Sequence, residues 1–287
     1  MKLTPLYLTL SALLLSACQG GNTQQSTTPA APQKASAPAL MAAATTQQPL
    51  LERLNNKGTI IVATEGDYAP FTFTDKDGKL TGYDVEVMRA VGEKLGVKVE
   101  FRTIKWVGIL PGVKSGEFDF AANQVTLTSP ERQAEFDQAI PYSWSGDAII
   151  VRNDNNSITS LETLKGKVGL QSSTSSYGEI AKKAGASVLP VESFTQAANL
   201  IQKGNADFTI NGSLAALDYL KKNPQSSLKI AWMTPREEQT GAGIVTVKNN
   251  ANGAVIAKIN EAMVALQADG TLKRLGEQFF GQDVSLH

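Results

Sequence analysis

Residues 123–142, NQVTLTSPERQAEFDQAIPY, hold the densest set of groups in the chain able to bind an anion. A short apolar run, 118–122, leads into them. Three hydroxyls follow on Thr126, Thr128 and Ser129, then a Pro-Glu-Arg step and an amphipathic stretch ending at Pro141 and Tyr142. Arg132 carries a planar fork of N–H donors that matches a carboxylate in bidentate fashion. Ligands of open α/β sheets settle beyond the carboxyl ends of strands, where this segment would lie. The chemistry indicated is capture of a small carboxylate.

Composition narrows the alternatives. The 287 residues suffice for two ordinary domains. Lys plus Arg and Asp plus Glu both number 27, and this balance argues against nucleic acid as the main partner. The single Cys is Cys18 and the single His is His287, the last residue. No intrachain disulfide, Cys-His pair or Ser-His-Asp set can form in the body of the chain. A zinc site would have to rely on carboxylates, which is unusual. Carboxylate, lysine or tyrosine chemistry stays open, and no cofactor is implied.

The elements that must position Arg132 follow from periodicity. After a positive start at Lys2, residues 6–15 are apolar but too few to span a bilayer, and they end in Leu15-Ser16-Ala17-Cys18. That ending resembles a bacterial lipobox, so residues 1–17 are expected to be a lipoprotein signal peptide and Cys18 the acylated residue. Residues 18–49 are rich in Gln, Thr, Ser, Ala and Pro, and they are expected to form a disordered tether. Nothing from residue 50 onward reads as a transmembrane helix.

Beyond the tether, helical spacing marks 50–54, 84–95, 109–114, 176–183, 194–202, 214–221, 254–266 and 271–279. Strand patterns mark 58–64, 97–102, 118–123, 168–171, 187–191, 207–211 and 243–247, with a hairpin over 71–82. Alternating strands and helices predict an α/β protein with mixed, mostly parallel sheets covered on both faces. The turn-like SWSGD near 143–149 and the polar TPREEQTGA at 234–242 mark changes of unit.

In this order the segments VATEGDYAPFTF (62–73), GKLTGYDVEVMRAVGEKLG (78–96), TIKWVGILPGV (103–113), NQVT (123–126), PERQAEFD (130–137), PYSWSG (141–146), LAALD (214–218) and ADGTLKRLGEQFFG (268–281) resemble the amino-acid-binding proteins of bacterial ABC importers, in particular their cystine- or cysteine-binding branch. The resemblance implies a type II periplasmic-binding-protein fold. Two lobes, 50–143 plus 239–287 and 147–234, would be joined by two crossover hinge strands around a closing cleft. It implies that Arg132 clamps the ligand α-carboxylate. Thr126 would add its hydroxyl and amide, with Thr128 as the alternative, and the Gln124 carbonyl would face the ammonium group. Glu65 would pair with the amino group or side chain, and Tyr68 and Trp106 would form aromatic walls. Thr174 and Ser175 would supply loop amides to the carboxylate, while Gln171 stands where some relatives carry Lys or Arg. Gly212 stands where many relatives carry an acid for the ammonium, which leaves that pairing to Glu65 or to Asn211 with water. The implied partners are an amino acid, the permease subunits of an ABC importer and a membrane reached through the lipid anchor. The protein is expected to be monomeric, not an enzyme, and placed in the bacterial cell envelope facing the periplasm or the exterior. A dehydratase acting on a cyclohexadienyl acid, with Glu65 as acid or base, is the enzymatic alternative. A surface receptor or antigen without transport is the third.

Overall fold

The structure is a computed structural model, and it describes residues 49–249 and 252–287. The expected signal peptide, acylated Cys18 and nearly all of the tether lie outside these residues. The chain runs through α1 (Leu50–Asn55), β1 (Thr59–Thr64), β2 (Asp67–Tyr68), β3 (Thr72–Thr74), β4 (Leu80–Thr81), α2 (Tyr83–Leu95), β5 (Lys98–Thr103), α3 (Trp106–Ser115), β6 (Phe120–Ala121), α4 (Pro130–Glu135) and β7 (Phe136–Gln138). It continues through β8 (Ser143–Ser145), β9 (Asp147–Arg152), β10 (Val168–Gln171), α5 (Ser176–Lys183), β11 (Ser187–Pro190), α6 (Phe194–Gln202), β12 (Phe208–Gly212), α7 (Ser213–Lys222) and β13 (Leu228–Met233). The last elements are β14 (Thr240–Ala242), β15 (Val245–Val247), α8 (Asn252–Ala268) and α9 (Thr271–Phe280).

Two five-stranded mixed sheets organise these elements, in the orders β5-β1-β6-β15-β7 and β11-β10-β12-β9-β13. In each, the first three strands pair in parallel and the remaining pairings are antiparallel. The antiparallel halves arise because the chain passes between sheets and returns. The outward pass is β8 and the return is β14, which pair with each other at Trp144 and Gly241. One expected strand differs in extent and two strands were not foreseen. The expected strand over 118–123 is regular only at Phe120–Ala121, because the Asp119 carboxylate turns to accept from Ile61 N at 2.7 Å and to pair with Arg53. β9 and β13 were not expected. Their apolar cores, AIIV and KIAW, follow turn-like residues and become strands by pairing with each other and with β12.

Helix α2 shows how the first sheet is covered. Its apolar positions Val85, Val87, Met88 and Val91 are fully buried against strands and against α8 and α9. Gly96 ends it in the left-handed region, with φ 69°. Gly82 starts it at φ 123°, and a Cβ there would lie 2.3 Å from the carbonyl oxygen of Phe71. Both the backbone angle and the close approach require glycine. Leu214 and Ala215 at the start of α7 join the buried cluster that contains Phe71 and packs against Tyr68, so the second sheet's helix layer touches the first. Among the described residues no helix is long and apolar enough to cross a membrane.

Gly82→Ala is expected to destabilise the fold by about 3 kcal/mol or more, since backbone atoms rather than a flexible side chain oppose the methyl. Chemical denaturation would measure it, and a loss under about 1 kcal/mol would contradict the steric reading.

Candidate functional site

A cleft of about 320 Å³ opens between the two sheets. It is lined by Glu65, Tyr68, Trp106, Gln124, Thr126, Arg132, Gln171, Ser175 and Asn211, nine of the ten ligand-contacting residues expected from the sequence. Thr174 is exposed, and it joins the site through its backbone oxygen alone.

Arg132 is placed by a short helix that the sequence specifies in three steps. The Ser129 hydroxyl caps α4 by accepting from the Arg132 backbone N–H at 3.3 Å, and Pro130 occupies the first turn, where no N–H is needed. Arg132 as a whole residue is then only 8% exposed. It donates from Nη1 to Thr126 O at 3.2 Å and from Nη2 to Thr174 O at 3.0 Å. Its guanidinium carbon stands 5.6 Å from the centre of the Trp106 ring. Both recorded acceptors are neutral carbonyls, and no carboxylate lies within ion-pair range among the described residues. Burial lowers the Arg132 pKa from its ordinary value, opposed by the charge of Glu179.

Opposite Arg132 the strand β1 delivers Glu65. Its Oε2 accepts from Asn123 Nδ2 at 2.7 Å, while Asn123 Oδ1 accepts from Glu65 N at 2.9 Å and from Thr64 Oγ1 at 3.1 Å. Desolvation pushes the Glu65 carboxyl up to about 7, assisted by Asp67 and opposed by Asn123, Lys105 and the Trp106 backbone N–H. Trp106 opens α3, and its indole Nε1 is buried without a partner among the described residues. Tyr68 donates from its hydroxyl to Asn211 Oδ1 at 2.6 Å, across the cleft. Asn211 Oδ1 also accepts from Gly212 N at 2.8 Å.

The floor at Gln124 is set from below. Gln124 sits at φ 51° and donates both its backbone N–H and its Nε2 to Asp84, each at 2.7 Å. Its Oε1 accepts from the Ser143 hydroxyl at 3.0 Å. Asp84 is fully buried, and desolvation lifts its carboxyl to about 7 against the Gln124 donors. On the far wall Gln171 is 3% exposed. Oriented to satisfy its neighbours, its amide donates to Leu170 O and Ile210 O and accepts from Ile210 N, stitching β10 to β12. Ser175 caps α5, accepting from Gly178 N at 3.2 Å, and its own N–H donates to Ser172 O.

Sequence reasoning missed Asn123, the buried Asp84 beneath Gln124, Asp147 and Tyr177, of which all but Asp84 line the cleft. The motif NQVT includes the first and GYDVE the second, yet their function comes from contacts forty or more positions away. Asp147 lines the cleft, and burial raises its carboxyl to about 6. Among the described residues no group of three or more His, Cys, Asp or Glu side chains could hold a metal ion.

Glu65, Asp84 and Asp147 hold protons in the folded state at pH values where the unfolded chain has released them. Stability therefore declines as pH rises from the ordinary carboxylate range through about 7. The exposed carboxyls with lowered pKa have finished titrating below that window. The melting temperature without ligand is expected to be higher near pH ~5.5 than near pH ~8, and the reverse order in a calorimeter would contradict this electrostatic picture.

Residues 60–282 match the bacterial extracellular solute-binding proteins, family 3. A probable amino-acid ABC transporter-binding protein of Haemophilus influenzae is 45% identical over 82% of this chain and 90% of its own. The L-cystine-binding protein TcyA of Bacillus subtilis is 41% identical over 81% of this chain and 85% of its own. Among solved structures, the L-cystine solute receptor of Neisseria gonorrhoeae in its unliganded open conformation is 56% identical, covers 84% of this chain and all of its own, and superposes with a TM-score of 0.58. An ancestral arginine-binding protein bound to arginine is 36% identical, covers 78% of this chain and 99% of its own, and reaches 0.71. These likenesses run the length of both lobes and include the two-lobed architecture, and the chain belongs to the bacterial extracellular solute-binding proteins, family 3.

Proposed function

We propose that this protein captures a small polar amino acid, cystine or cysteine first, in the cleft between its lobes and delivers it to the permease of an ABC importer. One observation carries the reading. The cleft holds Arg132, a buried residue whose guanidinium is bonded, among the described residues, only to carbonyl oxygens. A buried cation without a counter-charge is costly, and an α-carboxylate is the anion whose two oxygens fit its fork. The Trp106 and Tyr68 rings flank that position, and Glu65 offers an acid for an ammonium group. Thr126, Thr128, Ser175 and the Gln124 carbonyl complete the proposed set. Cystine is favoured because the relatives above include an L-cystine-binding protein, TcyA of Bacillus subtilis, and the L-cystine solute receptor of Neisseria gonorrhoeae.

Hinge closure is the proposed mechanism. Residues 50–143 plus 239–287 would form one lobe and 147–234 the other, moving about β8 and β14. Tyr68 to Asn211 and Arg132 to Thr174 are hydrogen bonds across that divide. A 36% identical ligand-bound relative superposes better than a 56% identical open one, which supports a closed pose here. In such a pose the ligand would be enclosed and its polar groups desolvated together with their partners.

The proposal extends to the envelope. Cys18, at the end of a lipobox-like leader, would carry the lipid, and residues 18–49 would tether the lobes to the membrane. Cys18→Ser is expected to release the protein from membrane fractions into the soluble fraction. Retention on the membrane after that change would remove the anchor from the proposal.

Arg132→Ala is expected to abolish cystine binding while the circular dichroism spectrum stays unchanged. The test is a thermal shift against the common amino acids plus cystine, where a ligand at about 100 times its Kd adds roughly 2.7 kcal/mol of stability. Near-normal affinity in Arg132→Ala would take Arg132 out of the site.

A further inference from the structure

Gly212 and Asp147 stand directly opposite each other in the antiparallel pair β12–β9. Opposed residues in such a pair project from the same face of the sheet. A Cβ built on Gly212 would point at the hydroxyls of Tyr177, at 3.3 Å, and Tyr68, at 3.6 Å, both of which line the cleft. That face is the cleft face, and Asp147 lines the same cleft from one strand away. The space that an acid at 212 would use is thus filled by two phenols, while a carboxyl reaches the cleft from the neighbouring strand.

The Asp147 side chain is otherwise unused. Its backbone N–H donates to Thr234 Oγ1 at 2.9 Å, and its backbone oxygen accepts from Thr234 N at 2.9 Å. Among the described residues no hydrogen bond or ion pair to its carboxylate is present. The charged or titratable neighbour on the next element is Tyr177. Asn211, the other group expected to receive an ammonium, already accepts twice at Oδ1, from Tyr68 and from Gly212.

We propose that Asp147 is the carboxylate that pairs with a ligand ammonium group, taking the place left by Gly212. This rests on the amino-acid reading above. It also sharpens it. With Glu65 the cleft then offers two carboxyls, so a ligand with two ammonium groups uses both, whereas a ligand with one leaves a carboxyl unpaired. Cystine is the first kind and cysteine the second.

The test compares the full chain with Asp147→Asn by isothermal titration. The probes are L-cystine and dithiodipropionate, which keeps the disulfide and both carboxylates but lacks the ammonium groups. Melting curves without ligand accompany the titrations. The variant is expected to bind L-cystine about a hundredfold more weakly, to bind dithiodipropionate as the parent does or better, and to melt at a higher temperature at neutral pH or above. Higher stability with lower affinity separates a ligand partner from a structural residue, which would lose both. Unchanged cystine affinity, equal losses for both probes, or a lower melting temperature would overturn the proposal. If the parent protein binds no amino acid, the amino-acid reading falls with it. If the parent binds cystine and Asp147→Asn binds it equally, the assignment of Asp147 alone falls.

Discussion

The hydrogen bonds from Gln124 to Asp84 are the constraint around which the cleft is organised. A fully buried carboxylate holds a residue in the left-handed region, where a non-glycine residue is uncommon. Its neighbours then reach both strands that join the lobes. Gln124 Oε1 takes the hydroxyl of Ser143 in β8, and Val125 O takes the N–H of Gly243 just after β14. Gln138 adds a bond to Gly241 O at 3.0 Å. Tyr83, beside Asp84, donates to Tyr142 O at 2.6 Å, immediately before β8. The next residue, Thr126, presents its carbonyl to Arg132. One buried acid thereby fixes the cleft floor, the segment that holds Arg132 and the strands passing between the two sheets in a common frame.

That frame supports charges that do not neutralise one another. Arg132 stacks near Trp106 and bonds to carbonyls, Glu65 leans on an amide and a helix N-terminus, and Asp147 faces the cleft. Each costs stability when the cleft is dry, and the raised carboxyl pKa values express that cost. A zwitterion brings the complementary charges already joined in one molecule. On the proposed reading the cleft is better matched to such a ligand than to itself, the usual relation between a binding site and the stability of its scaffold.

Much of the frame was legible in the sequence because it rests on local rules. The apolar stripe of α2, its terminal Gly96 and the Ser129-Pro130 start of α4 are short-range signals. Arg132 could be singled out on its residue type, and Glu65, Tyr68 and Trp106 on segments resembling a known family. The rest depends on pairing between distant segments. β9 and β13 went unassigned although their apolar runs AIIV and KIAW suit a strand, because the turn-like SWSGD precedes the first and only pairing with distant segments fixes both. Asp84 looks like any acid in the first turn of a helix until Gln124 folds over it. Gln171 lines the cleft, and its amide also joins two strands, a role its residue type does not announce.

Gly212 shows most clearly why residue type at one position does not determine a site. Read alone, it removes an acid from the ligand's ammonium group. In the fold it leaves room for the Tyr177 and Tyr68 hydroxyls, which close over the end of β12, with Tyr68 reaching Asn211 from the other lobe. The strand register sets Asp147 beside it, so the charge lost from one strand is present on the next. Sheet geometry, which spaces opposed residues by about 5 Å, makes that exchange possible without moving the backbone.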